Sequence, residues 1–160
     1  MRFVLVLAAV LMAAAGPTGA QTGELRLSTG LASGIGSSGL PATGLASASL
    51  AFVSSSFSLG PELLRIFGPT RVFGIGAVSR VRLGSGRITP FVVGGLGGDF
   101  WKEEPGIVQG LFTGSIGAGV ELGAVSGLAL EFRAHKRLQR YAGPGNWDFI
   151  TVTVGGRLGW

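Results

Sequence analysis

The chain has 160 residues, 30 of them glycine and none cysteine, with a formal net charge of +5 and only 13% charged residues. The lack of cysteine excludes a lipid-anchored lipoprotein, a disulfide-stapled domain and a thiolate metal site. The glycines are mixed with Val, Ile, Leu and Phe without a Gly-X-Y period, which excludes collagen-like and disordered chains, and most arginines stand singly instead of forming the basic patch or tail of a nucleic-acid binder.

The N-terminal stretch MRFVLVLAAVLMAAAGPTGA places one positive charge, Arg2, before an apolar run from Phe3 to Ala15, with small residues at Gly19 and Ala20. That order predicts a secretory signal peptide over residues 1–20, cut between Ala20 and Gln21. The apolar run is too short for a transmembrane helix, which needs about 20 residues. Residues 21–160 then form one domain. Beyond the signal peptide no window reaches 18 consecutive apolar residues, and the recurring period is two, the signature of strands.

Eight alternating segments follow in order: 24–36, 45–54, 56–67, 71–83, 87–101, 110–122, 127–138 and 147–160. Residues 37–44, 102–109 and 139–146 read as longer loops with Pro, Gly or charge. The breaks at 54–56, 84–86 and 123–126 read as tight turns, and 68–70 is short where the alternation calls for a longer loop. Otherwise long and short connections fall at opposite ends, as in a barrel with external loops and periplasmic turns.

Each segment has an apolar and a polar face. In 127–138, Leu128, Leu130, Phe132 and Ala134 oppose Glu131, Arg133, His135 and Arg137; in 71–83, Phe73, Ile75 and Val81 oppose Arg80 and Arg82. Alternation alone fits a soluble barrel as well, with an apolar ligand cavity inside. Three features turn the apolar face outward. Glycines such as Gly74, Gly76, Gly117, Gly119 and Gly155 fall on the charged face, where a narrow interior needs small residues beside long arginines. That face balances Glu62, Glu121 and Glu131 against Arg80, Arg82, Arg133 and Arg157, as an interior charge network requires. The third is the aromatic side chain at the C-terminus, Trp160. Aromatics also sit where girdles are expected, with Phe67, Phe100, Trp101, Tyr141 and Trp147 near the loops and Phe52, Phe57 and Trp160 near the turns. The expectation is an all-β, eight-stranded antiparallel up-and-down transmembrane β-barrel over residues 21–160.

Signal peptide, strand count and terminal aromatic together resemble the small outer-membrane β-barrel superfamily of Gram-negative bacteria, which includes the OmpA transmembrane domain and OmpX. The last strand carries the sharpest likeness: TVGGRLGW fits that superfamily's C-terminal assembly signal through Thr153, Gly155, Leu158 and Trp160. The resemblance implies outer-membrane localisation and recognition by the barrel-assembly machinery, which would add this strand to an exposed sheet edge.

An eight-stranded interior is filled by side chains, so no large pore is expected. Barrels similar to lipid A deacylases place a His and a Ser two residues apart late in the chain; here His135 is followed by Lys136, Arg137 and Leu138, and its parity points inward. No nucleophile–base pair is apparent. The GxG stretches at 74–79, 94–99 and 117–122 precede no helix that would cradle phosphate, and Asp99, Glu103 and Glu104 read as a solvated acidic loop, with contact to a divalent cation as the alternative. Arg65, Arg71, Lys136 and Arg140 cluster at the loop end, where guanidinium groups can meet lipopolysaccharide phosphates. No catalytic, cofactor or metal residues are assigned. The sequence reads as a monomeric structural or surface-interaction barrel, in contact with outer-membrane lipid and lipopolysaccharide and without nucleic acid. The alternatives are a lipid-A-modifying enzyme, a surface binding protein and a soluble periplasmic barrel for apolar ligands.

Overall fold

The computed structural model describes residues 22–35, 41–69, 71–103, 107–123, 127–138 and 149–160. Residues 1–20, read above as a signal peptide, and most of the longer loops lie outside these residues. The described residues form eight strands: β1 (Thr22–Gly34), β2 (Thr43–Ser54), β3 (Phe57–Ile66), β4 (Arg71–Arg82), β5 (Ile88–Glu103), β6 (Ile107–Leu122), β7 (Gly127–Arg137) and β8 (Phe149–Gly159). They pair antiparallel in chain order, and β8 returns to β1 to close the barrel. Each strand has 10 residues or more, enough to cross a bilayer when tilted, which takes about 9–11.

The register sets the shape. Thr22 pairs with Val53, Val53 with Ser58, and the row continues through Arg80, Val93, Gly117, Arg133 and Thr151 to Ala32. One circuit climbs from residue 22 to residue 32, a stagger of 10 residues (32 − 22). A stagger of this kind accompanies the strand tilt of roughly 35–45° found in closed barrels.

The apolar face is outside. Ile116 is 73% exposed, and Leu27, Leu63, Ile75, Leu96, Leu128, Leu130 and Val154 are exposed with it, whereas Glu24, Arg26, Arg80, Glu121, Glu131 and Arg133 are buried within. The chain does not form the inverse barrel with an apolar ligand cavity. A lipid-facing belt of this kind loses no free energy to water and keeps the backbone bonded strand to strand. Phe67, Phe73, Phe100 and Phe112 are outward and exposed toward the loop end, and Phe52, Phe57 and Trp160 toward the turn end.

Three details differ from the sequence reading. Trp101 is not a girdle residue: its side chain is buried inside, edge-on to Phe149 with centroids 6.0 Å apart. Tyr141 and Trp147 lie outside the described residues. The segment 102–109 is mostly strand, since β5 and β6 stay paired out to Glu103 and Ile107. Finally, Asp99 is an interior residue of β5, not part of a solvated loop with Glu103 and Glu104. The ladder runs past the point where Pro and charge suggested it would stop, and Asp99 and Trp101 have the inward parity of β5.

The β1–β8 ladder that closes the barrel ends, toward the turns, on one residue pair. The Gly23 N–H donates to the Trp160 carbonyl at 2.8 Å, and the Trp160 N–H donates to the Gly23 carbonyl at 3.0 Å. The Trp160 indole lies directly over Gly23, occupying the space a Cβ there would need. An aromatic ring covering a cross-strand glycine shields backbone hydrogen bonds at a position with no side chain of its own. Gly23→Val should push the ring off the seam and lower stability by about 1 kcal/mol, the upper range for a cross-strand pair. Urea unfolding in lipid vesicles checks this, and a midpoint equal to wild type would contradict it.

Candidate functional site: the charged interior and its apolar cap

The interior is stacked in layers. Nearest the turns, Glu24 and Arg26 from β1, Arg82 from β4, Glu121 from β6 and Arg157 from β8 form one cluster. Arg26 bonds both Glu24 and Glu121, and Arg82 bonds the same two carboxylates, reaching Glu121 at 2.9 Å. Arg157 reaches Glu121 at 3.2 Å and Glu24 at 3.5 Å, and donates to the Gly123 carbonyl at 3.0 Å. The Arg26 guanidinium also lies over the Phe91 ring, 5.3 Å from its centroid, a placement that favours a cation.

Above it a second cluster joins β3, β4 and β7. Arg133 grips Glu62 with two bonds of 2.6 Å each and donates to Glu131, while Arg80 donates to Glu131 at 3.0 Å and lies 3.7 Å from Glu62. Two-pronged guanidinium–carboxylate contact is the strongest geometry available to such pairs. Glu24 and Arg26 share the interior parity of β1 and complete the lower cluster, although the sequence reading confined the network to Glu62, Arg80, Arg82, Glu121, Glu131, Arg133 and Arg157.

Toward the loops the same inward face becomes apolar. Ala32, Leu45, Leu64, Ile66, Val72, Trp101, Leu111 and Phe149 pack into one buried layer. The sequence reading missed this cap. Its signal was available, because Leu64, Ile66 and Val72 have the parity of the charges below them. His135 sits under the cap, stacked on Phe149 at 4.3 Å and bonded through Nε2 to Thr151 Oγ1 at 3.1 Å. This is a hydroxyl–imidazole pair that linear inspection did not find, because its members are on different strands. Both residues are buried inside the barrel, at 7% and 4% exposure.

Several interior glycines are there for backbone clearance. A Cβ at Gly117 would collide with the Phe132 carbonyl and come 2.8 Å from Arg133 Cγ. The room these glycines make is thus for neighbouring strands at sharp bends as well as for arginine side chains.

On the outside, Arg65, Arg71 and Lys136 are exposed near the loop end. Arg71 directly faces Lys102 across the β4–β5 ladder, and Arg65 lies over the Phe67 ring at 5.8 Å. Arg140 is outside the described residues. On β8, Thr153 and Arg157 point inward with Gly155 between them, while Leu158 and Trp160 face out. Among the described residues no group of three or more His, Cys, Asp or Glu is arranged to hold a metal.

A closed antiparallel barrel with an apolar belt and a charge-filled interior defines a transmembrane β-barrel of the smallest class. No protein-family model matches the chain, and no curated protein matches it in sequence. Solved structures do match in fold. Neisserial surface protein A superposes with a TM-score of 0.67 at 13% identity, over 88% of this chain and 97% of that one. The N-terminal barrel domain of Pseudomonas aeruginosa OprF gives 0.66 at 11%, over 86% and 97%. The outer-membrane enzyme PagL gives 0.54 at 13%, over 84% and 98%. The chain therefore has the fold of the small eight-stranded outer-membrane barrels.

Removing one member of a buried ion pair strands its partner. Glu131→Gln leaves Arg80 with only the longer contact to Glu62 and should cost about 3–5 kcal/mol. Urea unfolding in vesicles measures it; a loss under about 0.5 kcal/mol, the scale of a neutral surface change, would contradict the network's role.

Proposed function

We propose that the protein is an integral outer-membrane barrel with a structural or surface-interaction role in the cell envelope, and neither a pore nor an enzyme. The observation that carries this reading is the interior: two ion-pair clusters below and an apolar cap above fill most of the axis with side chains. Purified protein in planar bilayers should give no porin-like conductance steps. Stable steps of that kind, abolished on unfolding, would overturn the reading.

The fold likeness to PagL keeps a lipid-A-modifying enzyme as the rival. Against it, His135 and Thr151 face each other inside the barrel under the cap, out of reach of a lipid acyl chain. A lipid A mass unchanged on overexpression supports the structural role. A mass change lost in His135→Ala would favour the enzyme.

The loop-end cations supply the surface contact. Every described carboxylate side chain faces the interior, so among the described side chains Arg65, Arg71 and Lys102 have no acidic neighbour on the outer face. Like charges set directly opposite, as Arg71 and Lys102 are, repel unless an anion lies between them. Lipopolysaccharide phosphates at this level are such anions, and Lys136 and Arg140 are the further residues assigned to this contact. Replacing Arg65 and Arg71 together by Gln should reduce lipopolysaccharide co-purification several-fold; an unchanged amount would contradict it. Thr153, Gly155, Leu158 and Trp160 serve, in this reading, as the address read by the barrel-assembly machinery during insertion.

A further inference from the structure

We propose that the barrel binds a monovalent cation, sodium or potassium, beside the Asp99 carboxylate, in a cavity between the upper ion-pair cluster and the apolar cap. Asp99 is 6% exposed and accepts one hydrogen bond, from Thr113 Oγ1 to Oδ2 at 2.8 Å. The other four described carboxylates each have at least two guanidinium partners: Glu24 and Glu121 share Arg26, Arg82 and Arg157, while Glu62 and Glu131 share Arg80 and Arg133. Asp99 has no cationic partner among the described residues. A buried carboxylate in that position needs a counter-charge or a proton.

The space beside it is built for a small ion. A cavity of about 40 Å³ is lined by Asp99, Glu62, Thr113, Ser115, Arg133 and His135, with glycines forming much of its wall. That is room for one or two species the size of water. Glycine keeps the carboxylate accessible, since a Cβ at Gly74 would come 2.7 Å from Asp99 Oδ1, and one at Gly95 would come 2.7 Å from Ser115 Oγ. The available donors are oxygens, a carboxylate and two hydroxyls, which suit hard cations. Arg133 is held to Glu62 and Glu131 and does not serve Asp99. Two carboxylates against one guanidinium leave the lining at −1 (−2 + 1), which one positive charge balances and a divalent ion overshoots.

The test uses the folded barrel in detergent, with the temperature of its heat-induced mobility shift on SDS gels measured in sodium, potassium or choline chloride at equal ionic strength. Choline is too large for the cavity. The wild-type midpoint should rise with sodium or potassium over choline. The folded-to-unfolded ratio near the midpoint should grow about 100-fold once the ion reaches 100 times its Kd. Asp99→Asn should give one midpoint in all three salts. A wild-type midpoint equal in sodium and choline, or a sodium shift that survives in Asp99→Asn, would overturn the proposal. Should the variant not fold, anomalous diffraction from wild-type crystals soaked in thallium(I) decides: a peak beside the Asp99 carboxylate supports the site. A map without one leaves Asp99 neutralised by a proton and overturns it.

Discussion

Once a chain of this size turns its apolar side chains outward, its charged ones have nowhere to go but a narrow space with little water. Everything else in the structure follows from how those charges are neutralised. A lone arginine in that space would carry a desolvation penalty of several kcal/mol. Here Arg26, Arg82 and Arg157 converge on Glu24 and Glu121, and Arg80 and Arg133 on Glu62 and Glu131. The carboxylates come from β1, β3, β6 and β7 and the arginines from β1, β4, β7 and β8, so the pairs tie strands distant in sequence across the barrel. They also fix register, because a one-residue slip of β1, β3, β4, β6, β7 or β8 would carry its interior charge into lipid.

Geometry imposes the second condition. Eight strands with a stagger of 10 residues bend hard enough that some interior Cβ atoms would strike a neighbouring strand, which is why Gly117 lies against Phe132 and Gly155 against Leu27. The seam is where the ends of the barrel sequence meet. Gly23 and Trp160 satisfy each other's backbone there, and the indole covers the gap that glycine leaves. Trp160, one residue past β8, thus works in the finished barrel as a clasp, at the lipid interface that suits an indole.

Much of this was legible in the sequence because period-two alternation survives whatever the tertiary context. The strand count, the pairing order and the outward face of Leu128, Leu130 and Phe132 all come from parity. Strand ends were less legible: Pro105 and the charges around it suggested a loop over 102–109, yet cross-strand pairing carries β5 to Glu103 and β6 back to Ile107. Parity also misled where chemistry was read without position along the strand. Trp101 has girdle composition but interior parity, and Asp99 looked like a solvated loop acid because Glu103 and Glu104 follow it. The His135–Thr151 contact was invisible because it depends on the register of β7 against β8, which places Arg133 opposite Thr151 and leaves His135 one diagonal away.

Among the described residues the exposed chemistry is the lipid-facing belt, with Arg65, Arg71, Lys102 and Lys136 near the loop end. The direction of the two faces can be measured directly, because the absence of cysteine allows single labels to report on it. The most direct measurement is spin labelling on β6 in lipid vesicles, with Ile116→Cys and Ala118→Cys on one face and Thr113→Cys and Ser115→Cys on the other. Labels at 116 and 118 should collide readily with oxygen dissolved in the bilayer and be shielded from a water-soluble nickel chelate, while labels at 113 and 115 meet neither reagent. Free access of the chelate to residue 116, or oxygen contact confined to 113 and 115, would contradict the account.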